Sequence, residues 1–230
     1  MNNEIKVLDH GYVKLIETWG SDERIVEAAR MSTNKGFLGW GTEEKPGDEK
    51  LLKYLYDHKH NTPFEMAGMI VEVQAPIFVF REWHRHRTQS YNELSARYTP
   101  LPNMNYVPTI ERCLIGGGHL TKQAGTIKEA EPLTEYESEE FRRGINCIYE
   151  NLESCYQAYL KKGIPKELAR IILPVGRYSR MIASANLRNW LAFLTLRLAV
   201  EAQWEIRQYA NSVGIFTSQA FPRTWKLFLQ

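Results

Sequence analysis

Residues 68–75, GMIVEVQA, decide the fold, because their side chains alternate as in a half-buried β-strand. Successive side chains of a strand point to opposite faces of the sheet, so the repeat is two residues. One face carries Met69, Val71 and Val73, and the opposite face carries Ile70, Glu72 and Gln74. The segment is therefore predicted to be a strand.

The next segment, PIFVFREWHRHR (76–87), is predicted to be a helix that starts at the end of this strand. Pro76 has no backbone N–H, and it suits the first turn of a helix, where that donor has no partner within the helix. Helical spacing places Ile77, Phe80 and His84 on one face, and Arg81 and Arg85 on another. The residues that follow would leave the helix end as a loop.

The remaining elements are predicted from the two-residue repeat of strands and from helical spacing. Strands are predicted at 11–20 and 175–185, and a turn at NTPFE (61–65). Ser21 is of the right type to cap the helix DERIVEAARMS (22–32). Further helices are predicted at 47–59, 134–162, 165–173 and 187–213, and residues 104–132 are predicted to be a loop. We therefore expect an α+β fold, with a small, mostly antiparallel sheet packed against long helices.

The composition is that of an ordinary globular protein of 230 residues, 43% hydrophobic and with a formal charge of +2. It predicts one domain, residues 1–230, and gives no reason to expect a nucleic-acid partner. No apolar run approaches the roughly 18 residues that a membrane helix needs. Three cysteines without a CxxC pair, and no recognisable signal peptide, predict reduced thiols in a cytoplasmic protein.

Two short patterns lack the residues that would complete a ligand site. The HxH pairs at 58–60 and 84–86 have no Cys or acidic cluster at zinc-ligand spacing, so no metal is expected. GGG at 116–118 belongs to neither GxxxxGK[ST] nor GxGxxG, and a flexible loop is favoured over a phosphate cradle.

The segment RHRTQSYNELSARY (85–98) concentrates hydrogen-bonding side chains around Arg85, Arg87 and Arg97. A guanidinium matches phosphate or carboxylate with a rigid fork of donors, so the segment suits an anionic ligand. A solvated basic strip remains the alternative. Arg170 and Arg197 favour a site, because both lie in apolar segments where an arginine needs a partner. For Arg197 that partner could instead be Glu201, four residues further along a helix.

The segment offers no convincing protein nucleophile. Ser90 and Ser95 lie near His86 in the sequence, but nothing resembles GxSxG, and such serines more often cap turns or contact phosphate. It contains no cysteine either. Any difficult chemistry is therefore expected to depend on a cofactor. His60, Thr62 and Glu65 form a second polar group, and Asn186 is placed to cap the helix that follows.

Read together, these segments resemble the flavin-dependent thymidylate synthases. The signature of that family is R-H-R-x-x-S-x-N-E-x-S-x-R-Y, and residues 85–98 match all nine specified positions. HNTPFE, APIFVFREWHRHR, LARIILP and NLRNWLAFLTLRLAVEAQWEI extend the similarity over most of the chain, while residues 104–132 match loosely.

The resemblance implies an α+β homotetramer with active sites between subunits. It also implies conversion of dUMP to dTMP, with 5,10-methylenetetrahydrofolate as one-carbon donor and with FAD, reduced by NADPH, as hydride carrier. Arg197 would lie against the uracil and stabilise negative charge on the ring. Neither nucleic acid nor membrane is an expected partner.

The resemblance also assigns site residues. Those expected to bind dUMP are Glu82, Arg85, Glu93, Leu94, Ser95, Ala96, Arg97, Arg170 and Arg197. Those expected to bind FAD are Ser32, His60, Thr62, Glu65, Arg85, His86, Arg87, Asn92, Glu93, Asn186, Arg188, Ala192 and Leu196. Four residues depart from the family pattern: Glu82 stands where the family commonly has Gln, Ala96 where it has Gly, Ala192 where it has Asn, and Glu201 where it has His.

Two alternatives remain open at this point. The basic segment could belong to a module that binds RNA or nucleotides, with Tyr91 and Tyr98 as stacking platforms. The protein could also be a flavin enzyme that methylates or reduces another uracil nucleotide.

Overall fold

The computed structural model describes residues 3–42, 44–45, 47–115 and 133–230. Within these residues, five antiparallel strands form one sheet in the order β1-β2-β3-β5-β4. The strands are β1 Glu4–Val7, β2 Gly11–Trp19, β3 Gly68–Pro76, β4 Ser90–Glu93 and β5 Tyr178–Asn186. The predicted α+β class and the strand at 68–75 are confirmed.

Helices of very different length accompany the sheet. They are α1 Asp22–Arg30, α2 Gly47–Asp57, α3 Ile77–Trp83, α4 Ile110–Leu114, α5 Glu135–Lys161, α6 Lys166–Ala169, α7 Leu187–Arg197, α8 Trp204–Ala220 and α9 Pro222–Phe228. Short 3₁₀ helices lie at Met31–Thr33, Thr62–Met66 and Arg170–Ile172, so NTPFE forms part of a 3₁₀ helix rather than a simple turn.

The core lies on the face of β3 that the alternation selects. Met69, Val71 and Val73 are fully buried, whereas the residues between them are only partly so. The largest buried side chains include Trp83 and Trp190, which meet edge to face with ring centroids 6.4 Å apart. The first comes from α3 and the second from α7, so the core fixes both helices against the sheet.

Several predicted helix ends are confirmed by their caps. Ser21 accepts a hydrogen bond from Arg24 N, and Asn186 accepts one from Asn189 N, so each satisfies a free N–H of a first helical turn. The helix predicted at 134–162 is α5, which begins with a capping box between Thr134 and Glu137.

The predicted helix at 76–87 was too long. Pro76 is the last residue of β3 and caps α3, which ends at Trp83. Arg85 therefore lies beyond the helix and does not share a helical face with Arg81. The motif does not continue only as a loop either, because residues 90–93 form β4 against β5. The backbone hydrogen bonds of β4 are made with β5, and the polar sequence of the segment does not indicate that it forms a strand.

The predicted single helix at 187–213 was also wrong, because α7 ends at Arg197 and α8 starts at Trp204. In the predicted loop at 104–132, residues 110–114 form α4, capped by Thr109, and GGG lies outside the described residues.

Cys147 and Cys155 are exposed on α5. Across the described ranges, no helix is long and apolar enough to cross a membrane, and no group of three potential metal ligands occurs.

Asp48 should make the stability of the fold depend on pH. Its buried carboxylate accepts hydrogen bonds from Leu38 N at 2.7 Å and from Arg30 Nε at 2.9 Å. Burial alone would raise the pKa of Asp48, but these donors and the charge of Arg30 outweigh it and hold the pKa below its ordinary value. A group with a lowered folded-state pKa stabilises the fold above its unfolded pKa and loses that contribution as the pH falls.

We therefore expect Asp48→Asn to lower the free energy of unfolding at pH 7 by about 2 kcal/mol, the scale of a hydrogen bond to a charged group. The difference from wild type should shrink below about pH 4, where carboxylates of the unfolded chain become protonated. Urea unfolding at pH 7 and at pH 3 measures both values. An equal difference at the two pH values would contradict the role given to the carboxylate charge.

Candidate functional site

A cleft of about 660 Å³ lies between α3, the segment after β4, and α6 with the residues that follow it. Its wall on α3 carries the face predicted from helical spacing. It is lined by Ile77, Phe80, Arg81, His84, Glu93, Leu94, Ser95, Ala96, Leu101, Glu167, Arg170, Ile171, Leu173, Val175 and Ser179. The cleft thus contains five of the residues predicted to bind dUMP: Glu93, Leu94, Ser95, Ala96 and Arg170.

The segment after β4 forms a tight turn at the cleft. Leu94 N donates to Arg180 O of β5 at 2.8 Å, which fixes the start of the turn. The N–H groups of Tyr98 and Thr99 both donate to Ser95 O, at 3.0 and 3.1 Å. Ala96 is buried, and its φ is not positive, so its backbone does not need a glycine. This departure from the family pattern therefore causes no strain.

The cationic side chains that line the cleft, Arg81 and Arg170, differ from two nearby ones, Arg97 and Lys166, in whether they have partners. Arg81 and Arg170 are exposed and have no ion-pair partner among the residues that the structure describes. Arg97 Nε instead donates to Glu167 Oε2 at 3.1 Å, and Lys166 Nζ donates to Tyr98 O at 3.0 Å. These two contacts attach α6 to the turn. The two unpaired guanidinium groups remain free to bind an anion.

Part of the cleft wall is apolar. Phe80 and Leu101 are buried in it, Leu173 is partly buried, and Val175 is exposed. The Ser179 hydroxyl, on a side chain that is 2% exposed, has no hydrogen-bond partner within the described residues. A cleft with guanidinium groups beside an apolar wall suits a ligand that joins an anionic group to a less polar ring.

Arg197 does not line this cleft, although it was predicted to belong to the same site. It is the last residue of α7 and lies 14% exposed against the end of α3. Its Nη1 donates to Glu82 Oε2 at 2.9 Å, and its Nη2 donates to Glu82 O at 2.7 Å. The alternative pairing with Glu201 is wrong, because the helix ends before that residue.

His86 supplies the third contact of Arg197, accepting from its Nε at 2.9 Å. Burial, followed by the charge of Arg197, lowers the pKa of His86 to about 4. The imidazole is therefore neutral near pH 7, with Nε2 as acceptor and the proton on Nδ1. Its ring packs edge-on against Phe193, with centroids 4.8 Å apart. We call Glu82, His86 and Arg197 the arginine cluster.

The residues predicted to bind FAD lie in several segments, and most of them are exposed. Arg188, Ala192 and Leu196 recur at four-residue spacing on one exposed face of α7. Arg188 forms an ion pair with Glu65, which joins that face to the 3₁₀ helix containing Thr62. In the described part of the chain Ser32 forms no hydrogen bond with these residues; its hydroxyl donates to Ala29 O at 3.0 Å.

The remaining predicted FAD residues belong to the motif and to two turns. Arg85, Arg87, Asn92 and Glu93 are exposed, and neither arginine has an ion-pair partner in the described part of the chain. The ring of His60 lies edge-on to Tyr54, with centroids 5.6 Å apart. Unpaired guanidinium groups, the Asn92 amide and the neutral imidazole of His86 are a donor set that fits the diphosphate and ring edges of a flavin dinucleotide.

Four polar or charged residues of the cleft were not predicted to be site residues: Arg81, His84, Glu167 and Ser179. The prediction that Arg81 lies on a different helical face from Ile77, Phe80 and His84 is wrong, because all four residues line the cleft. Arg81 lies four residues after Ile77, a spacing that places both on the same side of a helix. Glu167 and Ser179 gave no signal, since they come from segments distant in sequence. Of the two tyrosines considered as stacking platforms, Tyr91 is half-buried and its hydroxyl donates to His86 O at 2.7 Å, whereas Tyr98 is exposed.

The fold and the cleft define an α+β protein with a cleft that brings together residues of the 85–98 motif, α3 and Arg170. The family described as thymidylate synthase complementing protein matches residues 14–223. The chain belongs to the flavin-dependent thymidylate synthase family, as the relatives that it matches over nearly its whole length also show.

Two such relatives are named flavin-dependent thymidylate synthase. The protein of Thermus thermophilus is 39% identical over 224 residues, covering 97% of this chain and 77% of the relative. The protein of Thermosipho africanus is 36% identical, and the match covers 99% of this chain and 94% of the relative. A similar solved structure is the UMP/dUMP methylase PolB of Streptomyces cacaoi with 5-Br UMP, which is 32% identical, has a TM-score of 0.82, and covers 98% and 96% of the two chains.

Proposed function

We propose that this protein converts dUMP to dTMP, taking the one-carbon unit from 5,10-methylenetetrahydrofolate and reducing equivalents from NADPH through FAD. The observation that carries the proposal is the cleft, where the turn at Ser95 meets the unpaired guanidinium groups of Arg81 and Arg170. Family membership gives the reaction class, and the PolB structures with 5-Br UMP and 5-Br dUMP support a uracil nucleotide as substrate.

In this proposal the cleft binds the nucleotide by its phosphate. Arg81, Arg85, Arg97 and Arg170 supply guanidinium donors, and the turn at Ser95 and Ala96 presents its hydroxyl and backbone to the anion. Arg97 would have to share its donors between the phosphate and Glu167, with which it already pairs. Glu93 and Leu94 complete the wall.

Arg197 would act on the pyrimidine ring. A fixed guanidinium next to the uracil stabilises negative charge that develops on the ring when carbon 5 attacks the one-carbon unit. Its orientation is already set by Glu82 and His86, so little reorganisation is needed during the reaction. Among the described residues, no nucleophile for this work is apparent: Cys113, Cys147 and Cys155 do not line the cleft, and no described histidine is hydrogen-bonded to Ser95.

FAD would be held by the exposed donors of the motif and of α7, chiefly Arg87, Asn92 and Arg188, with His86 and the residues around Glu65 beside them. When bound, it would supply the hydride that completes the methyl group. The Arg188–Glu65 pair orients a guanidinium on the solvent-facing side of α7. Ala192, smaller than the asparagine common in the family, leaves room on this face but offers no hydrogen bond.

We further propose a homotetramer that acts in the cytoplasm, with sites between subunits. Exposed apolar side chains, among them Met31, Leu38 and Leu196, support burial by other copies of the chain. Light scattering of the purified protein should give four times the mass of the 26.8 kDa chain, and the mass of a monomer would contradict this assembly.

The proposed function predicts that purified protein binds FAD and turns over dUMP. Flavin absorbance should remain with the protein through gel filtration after incubation with FAD. Formation of dTMP should require dUMP, methylenetetrahydrofolate and NADPH together. Protein that neither retains flavin nor forms dTMP under these conditions would contradict the proposal.

A second candidate is methylation of UMP as well as dUMP, favoured by the similarity to PolB, whose structures contain analogues of both nucleotides. Turnover of UMP and dUMP under identical conditions separates the two candidates. A kcat/KM for UMP within about tenfold of that for dUMP, which is roughly 1.4 kcal/mol of discrimination, would support the broader activity.

A further inference from the structure

The two sets of guanidinium groups near the proposed site differ in charge. Arg81 and Arg170 in the cleft have no counterion in the described part of the structure, so each presents a full positive charge. Arg197 does have a counterion, because its Nη1 donates to the Glu82 carboxylate at 2.9 Å. An anion near Arg197 would therefore meet a pair with no net charge. An anion in the cleft would meet a net positive charge, because Arg81 and Arg170 outnumber Glu93, and Glu167 is paired with Arg97.

The other group that contacts this guanidinium does not change the balance. His86 accepts from Arg197 Nε, and an imidazole that accepts at Nε2 is neutral. Phe193, packed against His86, is uncharged. Within the arginine cluster, Glu82 is therefore the group that neutralises the charge of Arg197.

We infer that Glu82 is a specificity-determining and positioning residue, whose carboxylate neutralises Arg197 and so directs the phosphate of the nucleotide to the cleft. This inference rests on the proposed function, and it gives Glu82 a different role from the direct contact with dUMP expected from the sequence. Arg197 then meets the uncharged ring. Its stabilising effect increases only when negative charge develops there, which is the condition for lowering the barrier rather than tightening ground-state binding.

The hydrogen bonds also fix which donors Arg197 can offer. A guanidinium has five N–H groups, and one on each of Nε, Nη1 and Nη2 is directed to His86 or Glu82. One N–H on each of Nη1 and Nη2 remains for a ligand. Glutamine at position 82 would keep an acceptor for Nη1 but would remove the charge, so Glu82→Gln separates positioning from neutralisation.

The test measures binding of inorganic phosphate to the FAD-loaded protein by calorimetry, in wild type, Glu82→Gln and Glu140→Gln. Glu140 is exposed on α5 and has no ion-pair partner among the described residues, so its variant is a matched change of charge. We expect Glu82→Gln to bind phosphate about fivefold more tightly, the effect of one unit charge at about 4 Å in water. Glu140→Gln should equal wild type.

The double variant Glu82→Gln/Arg197→Gln assigns the gain to Arg197, because the added affinity should disappear when the guanidinium is removed. Phosphate affinity in Glu82→Gln equal to that of wild type, or a gain that persists in the double variant, would overturn the inference. Thermal unfolding of each variant confirms that the fold is retained. Phosphate binding requires no turnover, so failure of the inference is distinguishable from absence of dTMP formation by wild type.

Discussion

Replacing Arg197 with alanine should reduce kcat for dTMP formation by roughly 100- to 1000-fold, the loss found when a positioned charge-stabilising donor is removed. Arg197 is held by three hydrogen bonds from its guanidinium, two to Glu82 and one to His86, so its geometry is fixed before any ligand arrives. Alanine removes that charge. The measurement is steady-state turnover of dUMP by the FAD-loaded variant.

The fold should survive this change, because Arg197 is the last residue of α7 and the apolar packing of that helix comes from residues such as Trp190 and Phe193. Circular dichroism and FAD retention serve as controls for structure. Arg197→Lys, which keeps the charge but loses the fork of donors, should fall between wild type and alanine. An alanine variant with wild-type kcat would remove Arg197 from the mechanism.

Replacing Arg170 with alanine should raise KM for dUMP by roughly 10- to 100-fold, since a hydrogen bond to a charged group contributes about 1.5–3 kcal/mol. Arg170 lines the cleft and has no ion-pair partner in the described residues, so the variant leaves no carboxylate unpaired there. The effect should appear in KM more than in kcat, because the phosphate does not change during the reaction.

Two controls make this prediction specific to phosphate binding. Arg143→Ala removes another exposed arginine, which is on α5 and outside the cleft, and KM should not change. Deoxyuridine, which lacks the phosphate, should bind wild type and Arg170→Ala equally weakly. A KM for dUMP in Arg170→Ala equal to that of wild type would contradict the placement of the phosphate in the cleft.

The fold could be predicted where the local pattern and the tertiary structure agree. The strand at 68–76 has a clear period of two, and its buried residues are those that alternation selects. The break after Arg197 was not predictable, because residues 198–203 contain neither proline nor glycine and continue an apolar pattern. Strand β4 escaped prediction because it is formed by pairing at the edge of the sheet, with most of its side chains exposed.

The site could be predicted by residue type but not by arrangement. The motif identified the turn at Ser95 and the arginines around it, and Arg170 proved to lie in the same cleft. The partner of Arg197 could not be read from spacing, because Glu82 lies 115 positions away in the sequence and meets it only through packing of α3 and α7. Sequence spacing suggested Glu201, which the end of the helix excludes.

The most direct test of the central claim follows the one-carbon unit itself. The FAD-loaded protein is incubated with dUMP, NADPH and methylenetetrahydrofolate labelled with ¹³C in the methylene group, and the nucleotide product is identified by mass spectrometry. We expect dTMP that carries the label in its methyl group, and no product when NADPH or the folate is omitted or when protein without FAD is used. Unchanged dUMP in the complete mixture, or dTMP without the label, would contradict it.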